Sequence, residues 1–205
     1  MNKKQYEERS ARSYQKIADH YDDSPEGRYT LDFKNLLMKV VQIPDGGQVL
    51  DVACGNGRLL EMLARQHRFS GFGVDLSDKM VKNAARLNPG MAFRQAACDA
   101  LPFENERFDV LTVCAAFHHF PDVAAFAKEA YRVLKPNGRL YIAEVYYTRL
   151  LRILCNPLIR FSPSGDVKLY APQEVTHVLE SAGFARDMVR FQGHIQIIGV
   201  TKQSI

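Results

Sequence analysis

The apolar positions of this chain change their period along its length. Up to about Val41 they recur every three to four residues, at Tyr14, Ile17, Ala18 and Tyr21 and then at Leu36, Leu37, Val40 and Val41. That spacing predicts helix, split near Ser24-Pro25-Glu26-Gly27 and stopped by the turn cluster Pro44-Asp45-Gly46-Gly47. Beyond it, short apolar runs alternate with helical stretches. Residues 49–52, 71–75, 91–96, 108–113 and 139–144 read as strands. Helices are expected over 58–66, from an N-cap at Ser77 to about Leu87, and over 123–134, where Lys135-Pro136-Asn137-Gly138 turns the chain into the fifth strand. Residues 172–182 then form a helix ended by Gly183, and 184–191 with 194–202 pair as a hairpin across Gln192-Gly193. The alternation implies βαβ units with right-handed crossovers. The expected architecture is a doubly wound α/β sheet of seven mostly parallel strands with an antiparallel C-terminal hairpin. All of it fits a single domain over 1–205, with a helical cap at 1–45 and a lid-like insertion at 146–168.

Composition narrows the class. The chain has 205 residues, 46% apolar and 24% charged, as expected of a soluble globular protein. No apolar run approaches the roughly 20 residues of a membrane span. The polar start Met1-Asn2-Lys3-Lys4 lacks the apolar core of a signal peptide, which favours the cytoplasm. Cys54, Cys98, Cys114 and Cys155 are widely spaced without a CxxC pair, so neither a zinc site nor a disulfide framework is expected, and no metal. The net charge of +4 is scattered along the chain, so no nucleic-acid partner is expected.

In open α/β sheets, ligands bind beyond the carboxyl ends of the strands. Four features fall there in chain order. Asp51-x-Ala53-x-Gly55-x-Gly57 follows strand one, and its glycines let a ligand approach the backbone closely. Asp75 ends strand two, where a carboxylate can accept both ribose hydroxyls of a nucleoside, or can simply favour the next helix start. Cys98-Asp99-Ala100 follows strand three, where a carboxylate can meet an adenine amino group or stand in a solvated loop. Cys114 to Phe120 follows strand four. Each feature alone is ambiguous; together they specify a nucleoside ligand. A dinucleotide fingerprint needs a third glycine where this chain has Leu60, and Asp51 suits an ammonium group better than a pyrophosphate. Both points favour S-adenosylmethionine over NAD.

At this point the run Val49 to Gly57 resembles motif I of the class I S-adenosylmethionine-dependent methyltransferases. Ala97-Cys98-Asp99-Ala100-Leu101-Pro102-Phe103, Phe117-His118-His119-Phe120 and Val133 to Leu140 are similar to later segments of the small-molecule, ubiquinone/menaquinone-biosynthesis-like branch. The resemblance covers about Tyr14 to Glu144, with Ala53 standing where many members have glycine. It implies S-adenosylmethionine as cofactor and S-adenosylhomocysteine as product. By position it puts Ala53, Cys54, Gly55 and Gly57 at the methionine part, with Asp51 orienting its amino group through the loop. Asp75 would hold the ribose, Leu76 and Met80 line the pocket, and Cys98, Asp99 and Ala100 meet the adenine. Cys114 and Ala115 would lie beside the methionine arm, with Tyr14 and Tyr21 either capping the cofactor or packing the helices.

The acceptor is less legible. Methyl transfer needs alignment above all, and a general base where the acceptor is a hydroxyl or an acidic carbon. His118 and His119 are the candidates, with Glu144 behind them. No Asn-Pro-Pro-Tyr or Pro-Cys signature of nucleic-acid methylation is present, so the expected partner is a small-molecule acceptor, apolar or aromatic. Residues 146–168 mix Leu150, Leu151, Ile153, Leu154, Leu158, Ile159 and Phe161 with Arg149, Arg152 and Arg160. They are expected to close over the acceptor, pack in a monomer or homodimer, or touch a membrane surface, with Pro157 interrupting any long helix. The alternatives are a non-catalytic S-adenosylmethionine-binding regulatory or assembly protein of the same fold and an NAD-dependent oxidoreductase.

Overall fold

A computed structural model describes residues 1–159 and 161–204. Arg160, placed above in the insertion, lies outside the described residues. Helix α1 (Lys3–Ile17) starts at a capping box in which Asn2 and Gln5 satisfy each other's backbone. A 3-10 turn over Ala18–Asp23 leads to α2 (Pro25–Met38), whose N-cap Ser24 accepts from Gly27 N at 3.0 Å and whose first residue is proline. The expected break near Ser24 is therefore a helix start, and the turn at Pro44 lies beyond the helix end.

The sheet follows as β1 (Gly47–Val52), α3 (Arg58–Ala64), β2 (Phe69–Asp75), α4 (Asp78–Leu87), β3 (Ala92–Gln95), β4 (Phe108–Cys114), α5 (Val123–Val133) and β5 (Leu134–Val145). Next come α6 (Arg149–Ile159), α7 (Pro172–Ser181), β6 (Phe184–Gln192) and β7 (Ile195–Lys202). The seven strands order as β3-β2-β1-β4-β5-β7-β6. Strands β1 to β5 pair in parallel, while β7 runs antiparallel to both β5 and β6. This is the doubly wound sheet with its antiparallel hairpin.

Strand alternation divides the core between the two faces of the sheet. Leu50 and Val52 join a cluster with Phe117, Phe126 and Leu179, and Val49 joins another with Phe33, Leu37 and Leu63. Two local readings change. Strand β5 begins at Leu134, because Asn137 takes a left-handed φ of 63° and the pairing with β4 shifts between Phe108 and Val110. The Lys135-Pro136-Asn137-Gly138 turn is thus absorbed into an irregular strand start. Helix α6 runs through Pro157 instead of ending before it. A proline costs one backbone hydrogen bond there, and Asn156 beside it ties the helix down by donating from Nδ2 to Leu169 O and accepting from Leu169 N.

The chain leaves β1 through left-handed residues. Ala53, Gly55 and Gly57 have φ of 59°, 53° and 78°. A Cβ on Gly57 would stand 2.8 Å from Asn88 Nδ2 and 3.2 Å from Phe93 Cε1. Gly57→Ala is therefore expected to cost about 1–3 kcal/mol of folding stability, and Ala53→Gly to cost nothing or to stabilise slightly. Urea unfolding of the two variants beside the wild type measures both.

Candidate active site

The left-handed exit from β1 opens a cleft of about 860 Å³ beyond the carboxyl ends of the central strands. Its floor is Asp51, Ala53, Cys54, Gly55 and Asn56 after β1, with Asp75 and Leu76 after β2. Cys98 after β3, and Cys114, Ala115, Ala116 and His119 after β4, form the far wall. Tyr14 from α1 and Tyr21 from the 3-10 turn cover it. Their rings stand 6.2 Å apart between the helical cap and the sheet.

Of the positions expected from sequence, Gly57, Met80, Asp99, Ala100 and His118 do not line this cleft. Gly57 is the N-cap of α3, turned toward Asn88 and Phe93. Met80 is fully buried beneath the cleft, packed with Ala18 and Tyr21. Asp99 is taken by Lys3, whose Nζ lies 2.5 Å from Oδ2, while its Oδ1 is buried without a partner. Ala100 N donates to Ala97 O in the turn after β3. His118 faces a second cavity. Sequence reasoning missed Glu7, Ser10, Lys34, Leu59, Ala96 and Pro121, which also line the cleft, as do Asn56, Ala116 and Phe120 from the segments it singled out.

Two charges in the cleft, Asp51 and Lys34, are buried, and their partners are few. Asp75 accepts from Gly55 N at 2.9 Å and Ser77 N at 2.8 Å, so its carboxylate braces the turn after β1 against the start of α4. Asp51 is 2% exposed and accepts from Thr112 Oγ1 at 2.7 Å across the β1–β4 pair. Burial pushes its carboxyl up to about 7, against the opposing pull of Thr112 and Lys34. Lys34 of α2 is buried too, and its ammonium donates to Thr30 Oγ1 at 2.6 Å. No carboxylate forms an ion pair with it among the described residues, and an ammonium with one hydroxyl partner is costly in such a place.

A second cavity, of about 880 Å³, lies on the other side of Ala115. Tyr29 and Phe33 of α2, Tyr147, and Leu151, Cys155 and Ile159 of α6 give it an apolar and aromatic wall. Its polar end is His118, Glu144 and Asp166. Glu144 is fully buried, accepting from His118 Nδ1 at 2.7 Å and Val145 N at 2.6 Å. Burial opposes ionisation of Glu144, but the His118 charge beside it holds its carboxyl below the usual range. His119 turns toward the first cleft, with Nε2 3.0 Å from Tyr14 Oη. The histidines thus stand at the junction of the two cavities, their ring centroids 4.1 Å apart.

Asp51 also fixes a pH dependence. A carboxyl whose folded value is raised lets the folded state hold a proton that the unfolded chain has lost, so its contribution to stability falls as pH rises from about 4 through about 7. Asp51→Asn keeps an acceptor for Thr112 and removes the buried charge. Its stability relative to wild type is expected to be greatest above about pH 7 and to shrink toward about pH 4 in denaturant unfolding.

Comparison with known proteins agrees with this geometry. Residues 50–142 match the family described as "Methyltransferase domain". The chain is 36% identical over 135 residues to 2-methyl-6-phytyl-1,4-hydroquinone methyltransferase of Synechocystis sp., covering 61% of this chain and 42% of that protein. It is 32% identical over 179 residues to the ubiquinone/menaquinone biosynthesis C-methyltransferase UbiE of Geotalea uraniireducens, covering 74% of this chain and 76% of UbiE. The chain spans less than half the length of the Synechocystis enzyme. Among solved structures, the methyltransferase complexed with the Trm112 activator of Haloferax volcanii superposes with a TM-score of 0.82 at 19% identity, over 93% of this chain and 98% of that one. A methyltransferase from Aquifex aeolicus superposes at 0.71 with 21% identity, over 94% and 98%. These two show the fold. With three quarters of UbiE matched and the strand-end residues in place, the chain belongs to the class I S-adenosylmethionine-dependent methyltransferases of the ubiquinone/menaquinone-biosynthesis type.

Proposed function

We propose that this chain transfers a methyl group from S-adenosylmethionine to a small aromatic acceptor of the hydroquinone type. The observation that carries the reading is the pair of cavities meeting at Ala115, one lined by Lys34, Asp51, Gly55 and Asp75 at the strand ends, the other walled by aromatic and aliphatic side chains. The relatives' printed substrates, a phytyl hydroquinone among them, belong to the same chemical class.

Three groups suit the cofactor. The buried Lys34 ammonium lacks a carboxylate and would receive that of the methionine part, while Asp51 would receive its amino group. Asp75, already fixed by two backbone donors, has lone pairs left for the ribose hydroxyls. S-adenosylmethionine supplies a methyl already activated on a sulfonium, so the protein's task is alignment and exclusion of water. Tyr14 and Tyr21 shield the donor side. On the acceptor side Leu151 and Ile159 of α6 line the cavity, while Leu150, Ile153, Leu154 and Leu158 are at least 59% exposed. An exposed apolar face at the cavity mouth suits an acceptor with a long hydrocarbon tail. The cluster of His118, His119, Glu144 and Asp166 would take up the negative charge or the proton of the acceptor.

Incubating the chain with methyl-labelled S-adenosylmethionine and prenylated or phytylated hydroquinones tests the reaction. Label is expected in the quinol. Tight cofactor binding with no transfer to any metabolite pool would favour the binding protein instead. Lys34→Ala is expected to weaken S-adenosylmethionine roughly 10- to 100-fold in calorimetry, as a lost charged hydrogen bond should. It should leave 5′-methylthioadenosine, which has no carboxylate, nearly unchanged. Asp75→Ala should weaken both.

A further inference from the structure

Between the two cavities, His118, His119 and Asp166 bring three ligand-type atoms within 4.8 Å of one another. His118 Nε2 stands 3.6 Å and His119 Nδ1 3.0 Å from the same oxygen, Asp166 Oδ1. The opposite nitrogen of each ring is already engaged: His118 Nδ1 with Glu144 Oε1 at 2.7 Å, and His119 Nε2 with Tyr14 Oη at 3.0 Å. The second oxygen of Asp166 accepts from Ser164 Oγ at 3.0 Å, and Val167 N bonds to His118 O at 2.8 Å, which holds the Asp166 loop onto the histidine turn. His119 Nδ1 is buried and has only the Asp166 carboxylate, at 3.0 Å, beside it. The side chain is only 9% exposed.

We propose that these atoms form a binding site for a divalent first-row metal cation of the zinc or ferrous class. The ligand set is two imidazoles and one carboxylate, which suits such cations and leaves coordination positions open. Its surroundings are those of metal-bound histidines, whose far nitrogen is held by a carboxylate or another oxygen acceptor. The open positions face the second cavity, whose wall includes His118 and Asp166, and His119 reaches the first. A hydroxyl of the acceptor would bind there as its oxyanion, its proton passing to water. With the cation seated, the imidazoles are ligands, and the cation takes over the base's task of making the acceptor electron-rich. This use rests on the methyl-transfer reading, but the site itself does not.

The test uses the full chain, stripped with chelator and titrated with Co²⁺ in the absence of S-adenosylmethionine. One equivalent is expected to give visible d–d bands without thiolate charge transfer, displaced by Zn²⁺. Asp166→Asn and His118→Gln should abolish the bands, and Glu144→Gln, which keeps a hydrogen bond but not the charge, should weaken the cation roughly 10- to 100-fold. The absence of bands, or bands that survive both ligand substitutions, overturns the proposal. Imidazole nitrogen NMR of the unsubstituted chain gives a reading independent of variant folding: Zn²⁺ should shift His118 and His119, and a shift confined to other histidines refutes the site. Calorimetry with S-adenosylmethionine separates the two readings. Cofactor binding without cation binding sinks this inference alone, and cation binding without cofactor binding sinks the methyl-transfer reading alone.

Discussion

Strands β1 and β4 lie side by side at the centre of the sheet, and from there the chain proceeds to opposite edges, from β1 toward β2 and from β4 toward β5. With right-handed crossovers this reversal separates the connections that leave the two strands and opens a crevice at their carboxyl ends. The site depends on that gap staying open. The backbone keeps it open by turning sharply at both lips, through Ala53 at the end of β1 and Ala115 at the end of β4. Both are alanines with positive φ, at 59° and 51°. A left-handed alanine costs about 1–2 kcal/mol, so the surrounding packing holds both residues in place. The small side chain matters as much as the backbone angle. At Ala115 a larger one would block the point where the two cavities touch.

The second constraint is electrostatic. Asp51, Lys34 and Glu144 are all buried at or beside the crevice; Asp51 and Lys34 sit among few partners, whereas His118 and the Val145 amide hold Glu144 in its charged form. Such groups are preorganised for charges brought by a ligand, and the folded chain holds them at some expense of stability. The pattern is divided between the cavities. Asp51 and Lys34 place one charge of each sign on the donor side, matching a zwitterionic amino acid. On the acceptor side Glu144 and Asp166 set two carboxylates against two imidazoles, which suits a proton, a cation or an electron-rich ring.

The sheet was legible because its strands are short apolar runs separated by glycine turns, and periodicity reports burial directly. The acidic residues after β1 and β2 were legible because topology places strand ends at the crevice whatever the loops do. Lys34 gave no comparable signal. A lysine in an amphipathic helix reads as solvated, and only the docking of α2 over β4 and β5 buries it. Asp99 differs in the opposite sense. Its position in the chain suits an adenine contact, but Lys3, almost a hundred residues away, occupies one of its oxygens. Asp166 was invisible from sequence, since it sits in an irregular loop whose placement follows from a backbone bond to His118. Pro157 misled as well, because a proline in a helix is costly but not forbidden when neighbouring side chains tie the helix down.

The two halves of the site are also held with different firmness. The donor cleft is built on strand ends and helix starts within the core, where displacement would disturb many buried contacts. The second cavity is closed by α6, none of whose described residues is buried. Few buried contacts mean a low cost of local opening. Arg152 and Lys168 anchor the region through Glu174 at 3.2 and 2.5 Å, ion pairs at a surface that stabilise only slightly. A loosely held apolar cover beside a rigid donor seat separates two demands. Alignment of the methyl group needs a fixed geometry, and admitting a bulky lipophilic acceptor needs a wall that can move. On the proposed methyl-transfer reading, the first demand falls on the sheet and the second on α6, which has no buried residue among those described.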